Sequence, residues 1–221
     1  MQRLSLDSIA DRRATDLLTS MLQPIDPNPL LAKLSEIISG RQIVVCGAGP
    51  SLKRQIESFS ETEDSVFVVA DGATSVMLEI GLHCDVVVTD LDGNVDHLIQ
   101  AKNNGSLLIV HAHGDNMERV TSIVPRLGAV LGSTQVEPTE RAFLWGGFTD
   151  GDRACHVVCD YSPESIILAG MDFGDTVGKW SKPGHDSHFS AGERKQIKLE
   201  IAEELISRLL KQTEIDYRFL T

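Results

Sequence analysis

The sequence has little of what would place it quickly in a class. Its four cysteines, Cys46, Cys84, Cys155 and Cys159, form no CxxC pair, which argues against a zinc ribbon or a thiol redox motif. Lys and Arg form no dense run, and the formal net charge is −12. Such a chain repels phosphate backbones, so no nucleic-acid partner is expected. No apolar run approaches the ~18 residues of a membrane span, and the N-terminal stretch has no apolar signal-peptide core. The expectation is a cytoplasmic protein with no membrane partner. There is no internal repeat, no Gly-Lys-Ser/Thr phosphate loop and no complete GxGxxG fingerprint.

What remains is an ordinary globular composition. The chain has 221 residues, 42% of them apolar, enough for one domain with a full core. Cys46 and Cys84 lie in or beside apolar runs and read as small core residues. Cys155 and Cys159 share one face of a helix, where packing competes with metal ligation as an explanation. Most of the acidic excess reads as solubility. A share of it suits a divalent cation that bridges carboxylates to a phosphorylated ligand.

Residues 1–40 read as an N-terminal helical segment. Leu4, Ile9, Leu17, Leu18 and Met21 recur at helical spacing. Pro24, Pro27 and Pro29 interrupt that pattern, and a second helix runs through Leu30, Leu34, Ile37 and Ile38 to Gly40. From 41 to 221 the texture is that of an α/β domain. Five β-rich runs, 43–46, 66–70, 86–88, 107–110 and 166–169, each end in a turn rich in Gly or Asp. Helix-compatible segments lie between them, at 51–59, 73–81, 95–104 and 115–124. Continuous apolar strands alternating with helices predict a Rossmann-like three-layer sandwich around a mainly parallel sheet. In such sheets ligands bind beyond the carboxyl ends of the strands, where the polar clusters of this chain fall.

Residues 129–131 and 143–145 are two further strand candidates, 151–161 reads as a helix, and 216–220 as a short edge strand. A long amphipathic helix is predicted over 191–211, with Ile197, Ile201, Leu205 and Leu209 on one stripe. That stripe serves either the core or a homodimer.

The cluster richest in chemistry is Val88-Thr89-Asp90-Leu91-Asp92-Gly93. Carboxylates at i and i+2 at a strand end converge on one ion as the chain turns away, and Mg2+ commonly takes one or two carboxylates plus substrate phosphates. Turn formation and capping are the competing explanation for each aspartate alone. With Asp71 and Asp115 at neighbouring strand ends, the set Asp71, Asp90, Asp92 and Asp115 reads as a metal site. Gly47-Ala48-Gly49-Pro50-Ser51 follows the first strand, where glycines let backbone approach a phosphate at a helix start. A simple tight turn capped by Ser51 explains it equally well. His111 and His113 point the same way on a strand and suit zinc or polar contacts to a ligand. Contacts to nucleotide or substrate are preferred, with Asn116 beside them. Thr149 and Asp150 are alternative helix caps. Arg153 is unfavourable in a first turn, which makes it a candidate for phosphate as well as a solvated residue. Lys179, Lys182, His185 and His188 lie in a Gly-rich loop that reads as a cationic lid or as plain surface.

Ala70-Asp71-Gly72-Ala73, Gly81-Leu82-His83-Cys84-Asp85 and Thr89-Asp90-Leu91-Asp92 together resemble the thiamin pyrophosphokinase catalytic domain, with its Asp-Gly-Gly-Ala turn, Gly-x-x-Pro-Asp step and Gly-Asp-x-Asp-Ser strand end. Here Cys84 stands for the Pro, Thr89 for the Gly and Gly93 for the Ser. These departures, with 47–52, 111–116 and 146–154, look more like a sister branch, the archaeal 6-hydroxymethyl-7,8-dihydropterin pyrophosphokinases. The resemblance spans roughly 40–210. It implies transfer of diphosphate from ATP to the hydroxymethyl group of a small pterin alcohol, with release of AMP, in methanopterin or folate-type biosynthesis. It assigns Asp90 and Asp92 to Mg2+, with Asp71 and Asp115 completing the site and one acid accepting the hydroxyl proton. Asp90, Asp92 and Asp115 are then the catalytic candidates. Gly47, Gly49, Pro50, Ser51, Asp71, Gly72, His113, Asn116, Thr149, Asp150, Arg153 and Lys182 are the nucleotide-binding candidates.

Thiamin pyrophosphokinases carry a C-terminal β-sandwich for which the 46 residues after Asp175 leave no room. Thiamin as acceptor is the nearest alternative. A nucleotide-sugar-dependent glycosyltransferase, whose Asp-x-Asp also holds metal and diphosphate, and a non-catalytic nucleotide sensor are the others.

Overall fold

A computed structural model of the chain describes residues 7–221 apart from Thr62 and Asp64; the expected contribution of Leu4 lies outside the described residues. Helices α1 (Ser8–Leu22) and α2 (Asn28–Ile38) precede strand β1 (Gln42–Cys46). There follow α3 (Leu52–Glu57), β2 (Val66–Ala70), α4 (Asp71–Glu79), β3 (Val86–Thr89), α5 (Val95–Asn103) and β4 (Leu107–His111). Then come α6 (Met117–Leu127), β5 (Leu131–Ser133), β6 (Ala142–Phe143), α7 (Asp150–Asp160) and β7 (Ser165–Ala169). The hairpin strands β8 (Thr176–Val177) and β9 (Phe189–Ser190), helix α8 (Glu193–Gln212) and strand β10 (Asp216–Phe219) complete the order.

Eight strands form one sheet in the order β10-β7-β1-β2-β3-β4-β5-β6, and every neighbouring pair is parallel. From β1 the chain walks outward to β6, then returns to place β7 on the other side of β1. The strand order therefore reverses between β1 and β7, the position at which open α/β sheets form a crevice.

Each inner strand divides its apolar run between two interiors, because successive side chains point to opposite faces. Val44, Cys46, Phe67, Val69, Val87, Leu108 and Val110 pack under α1, α3, α4, α5 and α6. Ile43, Val45, Val66, Val68, Val86, Val88, Leu107 and Ile109 pack under α2, α7 and α8. This is the three-layer α/β sandwich expected. The two N-terminal helices cover opposite faces: α1 lends Ala14, Leu18 and Leu22 to one interior, and α2 lends Leu34 and Ile38 to the other.

Two local expectations shift. The strand candidates at 129–131 and 143–145 appear displaced, at 131–133 and 142–143. Gly146 and Gly147, with φ of 98° and 78°, take the left-handed conformation and turn the chain out of the sheet. The buried stripe of α8 is Ala202, Ile206 and Leu210, with Ile201, Leu205 and Leu209 only half-buried beside it. The stripe is shifted by one residue because Ile206 and Leu210 are the buried side chains of α8 that join the interior shared with α7 and the sheet.

Candidate active site

The ends of β2 and β3 build the centre of the site. Helix α4 begins at Asp71, directly after β2, so a carboxylate sits at the positive end of a helix. The Thr89 hydroxyl donates to Asp71 Oδ2 at 2.6 Å, and the Gly93 N–H donates to the same oxygen at 3.1 Å. The Leu91 N–H in turn donates to Thr89 Oγ1 at 2.7 Å. Leu91 takes φ = 67°, rare for a residue with a side chain, while burying that side chain at 1% exposure. The left-handed residue between the two aspartates is what lets Leu91 anchor in the core and Asp90 and Asp92 face one point. Ligand oxygens of Asp71, Asp90 and Asp92 all lie within 4.8 Å of one another.

Asp71 Oδ1 is buried and has no hydrogen-bond partner. A Cβ on Gly93 would stand 1.9 Å from it, so glycine is required for this oxygen to occupy its place. A buried anionic oxygen without a donor is costly unless a cation meets it. Three converging carboxylates with one oxygen left bare fit a hard divalent ion.

Charge repulsion within the cluster is visible in its titration. Burial, and then the Asp90 and Asp92 charges, lift Asp71 to about 7 against the pull of its Thr89 and Gly93 hydrogen bonds. Burial and Asp90 also raise Asp92. Asp150, at the first turn of α7, is pushed well above the carboxylate range by burial and then by Asp90, Asp71 and Asp92. Asp90 runs the other way. Burial raises it, but His113 more than offsets this, with Nε2 at 3.4 Å from Asp90 Oδ2. The Asp115 N–H donates to His113 Nδ1 at 3.3 Å, so Nε2 is the ring nitrogen that faces Asp90.

A cavity of about 550 Å³ opens above these acids. Its opposite wall is basic: Arg119 from α6, Arg194, Lys195 and Lys198 from the start of α8, and Lys182 from the 178–188 segment. Lys182 Nζ lies 3.8 Å from Asp92 Oδ2. Gly72 is what allows that segment to cross so close, since a Cβ there would stand 2.5 Å from the Trp180 carbonyl oxygen. The α8 cations carry a signal in the sequence, Arg194, Lys195 and Lys198 on adjacent turns, which the apolar stripe of the same helix does not reveal.

Several expected ligand contacts are otherwise engaged. Gly47 and Gly49 donate their N–H groups to the Ala169 and Gly170 carbonyls at 2.8 and 2.9 Å. Ser51 donates both its N–H, at 2.9 Å, and its hydroxyl, at 2.7 Å, to Asp172 Oδ2. The turn that includes Pro50 is thus an internally bonded strand-to-helix connection. Its glycines serve the close approach of two loops: a Cβ on Gly47 would stand 2.6 Å from Gly170 O.

Asn116 is 1% exposed. It spends its amide on the backbone, donating to Asp90 O and His111 O at 2.8 Å each and accepting the His113 N–H at 2.9 Å. It ties the β3 and β4 loops together and does not reach the ligand space. Thr149 caps α7 and donates its hydroxyl to Asp152. Arg153 is neither solvated nor in the cavity wall. It is 0% exposed, donating to Gly146 O at 2.7 Å and meeting His111 Nε2 at 3.1 Å. Asp115 stands apart from the three clustered acids; it is exposed at the cavity rim and pairs with Arg194 at 3.6 Å. Gly47, Gly49, Gly72, His113, Thr149, Asp150 and Lys182 do line the cavity, with Phe148 and Phe173, whereas Trp145 packs on Phe143.

Fold and site together define a Rossmann-like α/β protein whose strand ends oppose an acidic centre to a basic wall. The profile of the family described as 6-hydroxymethylpterin diphosphokinase MptE-like matches residues 14–178, and the chain belongs to that family of enzymes. It is 42% identical over 199 residues to the 6-hydroxymethyl-7,8-dihydropterin pyrophosphokinase of Pyrococcus furiosus, spanning 90% of this chain and 84% of the relative. The enzyme of the same name from Methanocaldococcus jannaschii is 36% identical over 227 residues, spanning 98% and 94%. Among solved structures, the MAf glycosyltransferase of Magnetospirillum magneticum AMB-1 superposes with a TM-score of 0.52 at 15% identity, over 86% of this chain and 37% of that one. That likeness is one of fold. No described helix is long and apolar enough to cross a membrane.

Proposed function

We propose that this chain, in the cytoplasm, transfers diphosphate from ATP to the hydroxymethyl oxygen of 6-hydroxymethyl-7,8-dihydropterin and releases AMP, with Mg2+ held by Asp71, Asp90 and Asp92. The observation that carries the reading is the bare, buried Asp71 Oδ1 among three converging carboxylates, facing a wall of Lys182, Lys195 and Lys198. The names of the relatives point to the same acceptor.

In the reaction the hydroxymethyl oxygen bonds to the β-phosphorus of ATP. The bond from that phosphorus to the oxygen bridging the α-phosphate breaks, and AMP leaves with the electron pair. The hydroxyl proton passes to a carboxylate of the cluster. Bound Mg2+ would neutralise charge on the β- and γ-phosphates. The chain's own work is positioning and charge compensation, as in other phosphoryl transfers. Lys182, Lys195 and Lys198 bind the outer phosphate oxygens. Burial and Lys198 lower the Lys195 pKa from the usual lysine range, so an incoming polyphosphate strengthens its charged form. His113 holds Asp90 ionised and oriented.

The test is a panel of acceptors with ATP and Mg2+, scored by AMP formation. The pterin alcohol is expected to be turned over at least 100-fold faster than thiamin. Equal rates, or ATP binding without AMP, would overturn the reading.

A further inference from the structure

Asp172 is an acid of the cavity wall that stands across the strand-order reversal from Asp71, Asp90 and Asp92. It follows β7, and the sheet order β7-β1-β2-β3 sets two and three strand spacings between its loop and those of Asp71 and Asp90, roughly 10–14 Å. Its Oδ2 is fixed by the Ser51 N–H at 2.9 Å and the Ser51 hydroxyl at 2.7 Å. Gly49 admits it; a Cβ there would stand 2.1 Å from Oδ2. Asp172 Oδ1 has no hydrogen-bond partner among the described residues, and the residue lines the cavity beside Met171, Phe173, Val177 and Phe189.

We propose that Asp172 is the specificity-determining residue for the acceptor ring, accepting hydrogen bonds from its 2-amino and N3–H edge. This rests on the pterin reading above. Three features carry it. The two hydrogen bonds from Ser51 aim the carboxylate, so one oxygen is presented without loss of side-chain freedom on binding. Its negative charge repels phosphates. These instead follow the cations whose charges act on Asp92 at the β3 end, Lys182 and Lys195 among them. The remaining end of the cavity, at β1 and β7, is then the place for an uncharged flat ring, and Met171, Phe173, Val177 and Phe189 line it beside glycine backbone. A two-donor edge set against a carboxylate is a charge-assisted pair. Its distance from the cation centre is about the length of a fused bicyclic ring bearing a hydroxymethyl arm.

A site built to accept from two donors rejects an analogue that places an acceptor there, because buried polar groups then face each other unpaired. The experiment compares 6-hydroxymethyl-7,8-dihydropterin with its 2-oxo analogue in the wild type, Asp172→Asn and Ser51→Ala. It measures turnover with ATP and Mg2+, and also binding of each ring by fluorescence without ATP. The wild type is expected to prefer the 2-amino compound at least 50-fold. Asp172→Asn keeps its amide oxygen on the two Ser51 donors and turns an N–H donor toward the ring, so it is expected to raise KM for the 2-amino compound at least 20-fold and to abolish or reverse the preference. KM for ATP should stay within threefold. Ser51→Ala should raise KM for the ring several-fold while keeping the preference.

A wild type that forms AMP with the pterin alcohol while Asp172→Asn keeps its full preference overturns the role of Asp172 alone. An equal rise in KM for ATP and ring, with the preference kept, overturns it too, as it marks a purely structural role through the Ser51 turn. If the wild type forms no AMP but the fluorescence titration still shows the 2-amino preference and its loss in Asp172→Asn, the reaction fails and the recognition stands. Absence of both overturns both.

Discussion

Two pairs of strand ends lie side by side in this sheet and are finished in opposite ways. At β1 and β7 the turn N–H groups of Gly47, Gly49 and Ser51 find partners in Ala169, Gly170 and Asp172. At β2 and β3 three carboxylates converge, and Asp71 Oδ1 is left with no partner. Both regions are rich in Gly and Asp, so composition does not separate them. Closed hydrogen bonding marks a structural turn; a buried polar atom left open marks a place reserved for something else. The glycine turn lines the cavity with its own N–H groups already bonded, whereas the acidic loop keeps a buried oxygen open.

That contrast can be broken from either side. The largest effect is expected from Gly93→Ala, whose new methyl group meets Asp71 Oδ1. AMP formation should fall about 10²–10³-fold, the scale of losing one preorganised electrostatic group, with little change in ATP affinity measured separately. Gly170→Ala should do the reverse. With φ of 61° and a Cβ 2.4 Å from Gly47 O, it should lower stability by about 2–3 kcal/mol in urea unfolding and change kcat little in the surviving folded protein.

A third prediction concerns pH. In the metal-free protein Asp71 keeps its proton up to about 7, whereas in the unfolded chain it releases it near the ordinary carboxylate value. The native state therefore binds more protons between those limits, and metal-free stability falls as pH rises through that window. Mg2+ competes with the proton, so the gain in Tm from Mg2+ should be larger at pH 8 than at pH 5. An equal gain at both would place the ion elsewhere. The smallest effect is expected from Lys182→Ala. Its side chain is 61% exposed, and KM for ATP should rise about fivefold, the scale of one exposed ion pair.

Much of the fold was legible because each strand is a continuous apolar run, which a sheet covered on both faces requires. Asp71, Asp90 and Asp92 were legible only as a set: each alone suits a turn or a cap, but carboxylates gathered at neighbouring strand ends suit a shared cation. What stayed hidden depended on partners remote in sequence. Nothing near Arg153 announces that His111 and Gly146 O will bury it. Nothing near Ser51 announces that Asp172, 121 residues later, will take both of its donors. Asn116 looked like a ligand contact because it sits among polar residues, yet its partners are backbone groups of two strand ends. The cations of α8 face the cavity only because the 175–192 segment brings the start of that helix over the strand ends, and its amphipathic pattern carries no sign of that.

The most direct measurement is AMP release from ATP and the pterin alcohol by Asp92→Asn across a Mg2+ titration. The account predicts a rate at least 100-fold below wild type, with a higher Mg2+ concentration needed for half of it. Near wild-type AMP release at the same Mg2+ requirement would contradict the assignment of the acidic strand ends as the cation centre.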